Sequence, residues 1–159
     1  MPTRRRGSKG IELHPIAFVR NEVQEERHEG WDEIVSEIVL DGPPAEALDG
    51  IEDYSHVQVI FWMSRLDRGR HQEWKIHPRG RHDLPLVGIF ATRTQYRPNP
   101  LGLTTVQVLG RQGPVLKVKG LDAYDGTPVI DIKPLSPGRD IVENIRYPDW
   151  VRTLHKPSR

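Results

Sequence analysis

The chain has 159 residues, of which 36% are hydrophobic and 28% charged, and carries a net charge of +1. That is material for one globular domain around one core. Cysteine is absent, which excludes disulfides, thiolate metal sites and a cysteine nucleophile, and no apolar run approaches the roughly 20 residues of a membrane span.

The opening MPTRRRGSKG (Met1–Gly10) is polar, basic and terminal, so residues 1–10 are expected to form a flexible basic arm and residues 11–159 a single domain. The start lacks the apolar segment of a secretion signal, so a cytoplasmic protein is expected. HPIAFVR (His14–Arg20) reads as a first strand, followed by an acidic loop from Asn21 to Glu33. SEIVL (Ser36–Leu40) is a second strand, and PAEALDG predicts a short helix that starts on proline and stops at Gly50. HVQVIFWM (His56–Met63) is strongly strand-forming.

Ser64 to Asp83 is polar, basic and broken by Pro78 and Gly80, a long loop of the kind that carries function in compact domains. LVGIFAT (Leu86–Thr92) predicts another strand. TRTQYRPNPLG (Thr92–Gly102) cannot be a helix, because Pro98 and Pro100 remove donors and restrict the backbone. LGLTTVQVLG, PVLKVKGLD and DGTPVIDIKP read as three further strands, the last opening on an Asp-Gly turn. From Leu135 the tail is turn-rich and includes Trp150. About seven strands and one short helix point to an all-β fold, a small barrel or sandwich with long functional loops on one rim. A dinucleotide-binding fold fits poorly, since no G-x-G-x-x-G occurs and helices between the strands are missing.

Charge is unevenly placed. Glu22 to Asp53 holds twelve acidic residues against one basic residue, Arg27. The positive charge gathers at Arg4, Arg5, Arg6 and Lys9, then from Arg65 to Arg81, then at Arg93 and Arg97. Such segregation suits a basic face toward a polyanion, or else loops that are simply solvated.

In the stiff loop, Arg93 and Arg97 offer planar forks for carboxylate or phosphate. Tyr96 would stack on a base, and Asn99 would hydrogen-bond an amide or base edge. The alternative is a structural loop whose arginines bind carboxylates of the core. In LDAYDGTP, Asp122 and Asp125 flank a tight turn whose exposed amides and carboxylate suit a ribose or a cationic ligand, or which is an ordinary hairpin turn. His71, His77 and His82 match no metal-ligand spacing, and no metal is expected. His56, beside Ser55, reads as a hydrogen-bonded strand residue rather than a base, and no G-x-S-x-G elbow occurs. Trp62 belongs to an apolar strand, whereas Trp31 and Trp74 lie in charged loops, placed to stack on a base or a sulfonium or to anchor their loops.

Taken together, PIAFVRN, IEDYSHVQVIFW, GIFATRTQYRPNPLGLTTVQV and LDAYDGTPVIDIKP resemble the successive signatures of the TsaA-like (TrmO) family, over about Pro15 to Pro134. The resemblance implies a β-barrel methyltransferase that uses S-adenosyl-L-methionine near a homodimer interface. It implies methylation of N6 of threonylcarbamoyladenosine at position 37, in the anticodon loop of tRNA. Carried over by motif, the cofactor-binding residues are Arg97, the Ala123, Tyr124, Asp125, Gly126 and Thr127 loop, Ser64 and Arg65, and Gly30 and Trp31. Ser64-Arg65 stands where many members have His-Gln, and EERHEGWDEI replaces the family's Pro-Arg-Gln segment. RNA contacts fall to Arg93, Tyr96, Asn99, Arg68, Arg70, Lys75, Arg79 and Arg81. No general base is implied; His56 and Asp131 are the weak candidates for a catalytic role. The alternative is a non-catalytic barrel that binds S-adenosyl-L-methionine or RNA, or a methyltransferase with another acceptor.

Overall fold

The computed structural model describes residues 10–25, 27, 29–65 and 73–154; Met1–Lys9, Arg68, Arg70 and His71, all singled out above, lie outside them. Six strands alternate in burial, because every second residue turns inward. They are β1 (Ala17–Arg20), β2 (Val35–Leu40), β3 (His56–Trp62), β6 (Leu101–Gln112), β7 (Val115–Lys119) and β8 (Pro128–Pro134). They close into an antiparallel barrel in the order β1-β2-β7-β6-β3-β8. The expected small all-β barrel is therefore the observed fold.

The interior is filled by the inward set: Ala17 and Val19, Ile38, Val57, Val59 and Phe61, Val106, Leu116 and Val118, and Val129. Each such Val or Leu contributes about 1.5–3 kcal/mol when fully buried. Gly102 sits opposite Phe61 across the β3–β6 ladder, and its missing side chain is what admits the Phe61 ring. The β6–β7 hairpin turns through Gly113-Pro114, with Gly113 at φ 56°.

Three expectations need correction. Leu86–Thr92 is not a barrel strand. Only Val87–Gly88 (β5) is extended, pairing with Lys75–Ile76 (β4) in a separate two-stranded sheet, and Ile89–Ala91 form a 3-10 turn. Leu86 (54% exposed) and Phe90 (70%) face outward, and Ile89 is the buried residue of the run, outside the barrel core. The expected helix after Pro44 is a 3-10 turn, Ala45–Leu48, cut short by Gly50 at φ 84°; an isolated segment that short does not repay helix nucleation. The one α-helix among the described residues, α1 (Asp149–Leu154), lies in the tail expected to be turns. Smaller shifts move the start of β1 from His14 to Ala17 and place β4 and a 3-10 turn (Pro78–Gly80) within the long loop.

Candidate functional site

Strand direction decides which loops meet. β1 and β3 end, and β6 and β8 begin, at one rim, because Phe18 pairs with Pro128, Phe61 with Val129 and Trp62 with Leu101. The β1–β2, β3–β6 and β7–β8 connections therefore share that rim. These three connections carry Gly30 and Trp31, Ser64 to Asn99, and Asp122 to Thr127.

Asn21 is the knot of the rim. Its Nδ2 donates to Ser36 Oγ (2.9 Å) and to Ala123 O (2.9 Å), its Oδ1 accepts from Val23 N (3.0 Å), and its backbone N–H donates to Asp125 Oδ1 (3.0 Å). Ser36 is fully buried, so Asn21 satisfies a hydroxyl that would otherwise be stranded. Gln24 Nε2 donates to Asp125 Oδ2 (3.1 Å). Asn21, Gln24 and Ser36 escaped the sequence reading. The one available signal was an asparagine directly after a strand, a residue prone to bond nearby backbone.

Arg65 binds three connections together. Its Nη1 donates to Gln24 O (2.6 Å), its Nη2 to Asp125 O (3.2 Å), and its guanidinium lies 4.9 Å from the Tyr124 ring centroid. Trp31 meets Tyr124 edge to face, 5.5 Å between centroids and 72° between planes, and donates Nε1 to Arg27 O (3.3 Å). Gly30 precedes it at φ 76°, a left-handed conformation that suits glycine. Ser64 is exposed beside Arg65.

The Asp-Gly turn forms as expected, with Gly126 at φ 77° and Thr127 N donating to Tyr124 O (3.1 Å). Its amides are not open to a ligand, however. Asp125 N donates to Val23 O (3.1 Å) and Gly126 N to Val19 O (2.7 Å). Ala123 and Thr127 are buried. The loop therefore offers outward the Tyr124 ring, the Asp125 carboxylate and Gly126.

A recess of about 570 Å³ opens beside this cluster, lined by Glu22, Val23, Gln24, Glu25, Arg27 and Ile34. A second, about 560 Å³, is lined by Asp32, Gln58, Arg93, Thr104, Thr105 and Asp122 among others. Both volumes suit a small ligand, for which pockets run about 300–1,000 Å³. In the second, Arg93 Nη2 donates to Leu103 O and Thr104 Oγ1 to Asp122 Oδ1.

Arg97 belongs to the stiff loop itself. Nη1 donates to Thr92 O (2.9 Å) and Thr94 O (3.2 Å), and the guanidinium lies 5.6 Å from the Phe90 centroid. Tyr96 and Asn99 are exposed on the same loop, and Lys75 is exposed on β4. Arg79 donates Nη1 to Leu154 O (3.2 Å), which brings α1 to this side. Arg81 pairs with Asp83 (2.5 Å), and that hydrogen bond holds the Asp83 carboxyl below its ordinary range, against the opposing effect of desolvation.

His56 is not brought to the cluster. It begins β3 at the opposite rim, about 20 Å away along a seven-residue strand, with Nδ1 2.9 Å from Ser55 Oγ. Asp131 pairs with Ile60 on the barrel wall and its carboxylate lies 2.7 Å from Lys133 Nζ. His77 bonds Leu84 O (2.8 Å), and its ring meets that of His82 at a tilt of 52°, 4.6 Å between centroids. No helix among the described residues is long and apolar enough to cross a membrane.

Residues 23–141 match the model of the tRNA-methyltransferase O N-terminal domain. The chain is 36% identical over 137 residues to an S-adenosyl-L-methionine-binding protein of Archaeoglobus fulgidus, covering 84% of this chain and 95% of that one. It is 36% identical over 99 residues to the tRNA (adenine(37)-N6)-methyltransferase of Escherichia coli, covering 58% of this chain and 41% of that one. Among solved structures, TrmO of Pseudomonas aeruginosa superposes with a TM-score of 0.73 at 28% identity, over 92% of this chain and 64% of that chain. The chain thus spans less than half the length of the Escherichia coli relative and about two thirds of the TrmO structure.

Proposed function

Since the chain belongs to the tRNA-methyltransferase O N-terminal domain family, we propose that it is an S-adenosyl-L-methionine-dependent tRNA methyltransferase. Its proposed acceptor is N6 of threonylcarbamoyladenosine at position 37 in the anticodon loop. The observation that carries this reading is the single rim where Trp31, Arg65, Tyr124 and Asp125 meet one another and bond to Gln24 and Arg27, two of the residues that line the adjoining recess. A homodimer in the cytoplasm belongs to the same proposal.

The residues present fit the cofactor. S-adenosyl-L-methionine carries a sulfonium, an ammonium and a carboxylate, a net positive charge. The recess presents Glu22 and Glu25 with Arg27, next to the Asp125 carboxylate and two aromatic rings. The acids complement the cations, Arg27 suits the carboxylate, and the faces of Trp31 and Tyr124 attract a sulfonium or stack on adenine. When bound, the cofactor supplies an activated methyl group. Gly126 and the backbone of Ala123 and Thr127 shape this edge of the site. Arg65 holds Tyr124 by a cation–π contact and, with Ser64 alongside, takes the place of the His-Gln pair common in the family. Arg97 holds the stiff loop over the same rim.

Arg93, in the second recess, is placed to take the carboxylate of the threonylcarbamoyl group, with Gln58, Thr104 and Thr105 available to its hydroxyl and ureido groups. Fixed donors of this kind align the acceptor and exclude water, which is the greater part of what an enzyme must add to an already activated methyl donor. Lys75, Arg79, Arg81, Tyr96 and Asn99 contact the RNA around it, together with Arg68 and Arg70.

The test is methyl transfer from labelled S-adenosyl-L-methionine to tRNA prepared with and without the threonylcarbamoyl group. Label confined to the modified tRNA is the expected result; label on both refutes the stated acceptor. The Arg65 clamp in place of His-Gln favours one second reading, a barrel that binds the cofactor without transferring its methyl. Cofactor binding by calorimetry with no label on either tRNA would establish it.

A further inference from the structure

Trp74 and Phe90 are the two most exposed aromatic rings of the barrel rim, at 60% and 70%. They flank the small β4–β5 sheet, Trp74 just before β4 and Phe90 in the turn after β5, with centroids 6.4 Å apart and planes tilted by 58°. The pairing is built in: Ile89 N donates to Trp74 O (3.1 Å), and the 3-10 turn that follows sets Phe90 outward. Burial explains neither ring, since both leave most of their surface in water. The geometry points to a stacking platform for unpaired bases of an RNA loop, a surface distinct from the cofactor cluster. The inference takes its partner class from the proposed tRNA substrate.

Charge decides the occupant. Arg97 lies 5.6 Å from the Phe90 centroid, Lys75 adjoins Trp74 on β4, and Arg79 and Arg93 extend the same connection, against Glu73 and the paired Asp83. Aromatic faces interleaved with cations match a single strand, whose bases stack while its phosphates pair. A second copy of the chain is the poorer occupant, because a two-fold interface centred on the patch would set it against itself and bring these cations together. Duplex RNA offers no base faces to the rings.

The experiment measures binding of the full chain to an unmodified anticodon stem-loop and to a blunt RNA duplex by fluorescence anisotropy across a salt series. Trp74→Ala and Phe90→Ala are expected to weaken stem-loop binding about tenfold each, with the duplex affinity, the salt slope and the melting temperature unchanged. Trp74→Phe is expected to recover most of the loss. Unchanged stem-loop affinity in both alanine variants overturns the platform, as does a parallel loss of duplex affinity. Conversion of a dimer to a monomer by the double variant in sedimentation, with stem-loop affinity intact, assigns the patch to a second copy instead. The readout uses unmodified RNA and no methyl transfer, so failure of the proposed reaction leaves this result standing.

Discussion

Asp125 engages both carboxylate oxygens within the rim, Oδ1 with Asn21 N–H and Oδ2 with Gln24. Two substitutions therefore separate charge from scaffold. Asp125→Asn keeps an acceptor for Asn21 and removes the charge; cofactor affinity measured by calorimetry is expected to fall about tenfold, the loss of one charged contact, with a melting temperature near that of the parent. Asp125→Ala removes both acceptors and is expected to cost about 1–3 kcal/mol of stability besides. A second pair, Arg81 and Asp83, lies in the connection proposed to meet RNA. The Arg81 hydrogen bond depresses the Asp83 carboxyl, so the pair is intact above the ordinary carboxylate range and is lost as pH falls through the depressed value. Asp83→Asn releases Arg81 at neutral pH. Binding to single-stranded RNA is expected to tighten at low salt, its log–log salt slope steepening by about 0.7.

At the level of elements, the Asn21 side chain adds to the backbone bonds that tie β1 to the β7–β8 connection. Asn21→Ala strands the buried Ser36 hydroxyl and releases Ala123 O, so unfolding in urea is expected to show a loss of about 1–3 kcal/mol. Because the same residue spaces Val23 and Asp125, cofactor affinity should fall with it. The β3–β6 ladder has the opposite sensitivity. A Cβ at Gly102 would fall within the Phe61 ring, and Gly102→Ala is expected to destabilise by about 1–3 kcal/mol through overpacking. The companion change Phe61→Leu in the Gly102→Ala background should recover part of that loss, which a strand-propensity effect would not.

Over the whole molecule, the working rim is divided by charge. The β1–β2 connection contributes Glu22, Glu25 and Glu29, and the β3–β6 connection contributes Arg65, Lys75, Arg79, Arg93 and Arg97. On the proposed reading, a cationic cofactor and an anionic RNA are received on neighbouring loops of one barrel end. Raising salt from 50 to 200 mM is expected to weaken tRNA binding about a hundredfold for four phosphate contacts. Cofactor affinity, set within a recess by short-range contacts that salt screens less, is expected to change only slightly. A matched loss of both affinities would show that the two ligands do not occupy separately charged loops.

Alternation in HVQVIFW, SEIVL and VLKVK was enough to predict inward and outward faces, and Asp-Gly enough to predict the turn at Gly126, because both are local rules of backbone geometry. The family motif likewise singled out Tyr124 and Asp125 in the sequence, whereas Arg65 stands where the chain departs from that motif. The meeting of those residues was not legible, since it depends on strand order: Asn21 and Asp125 are 104 residues apart and touch only because β8 closes on β1. The same closure sends His56 to the far rim and consumes the amides of Asp125 and Gly126. LVGIFAT misled for a related reason. Apolar composition registers the tendency to leave water, but only the tertiary structure decided that Phe90 had no place in the core and stood exposed beside Trp74.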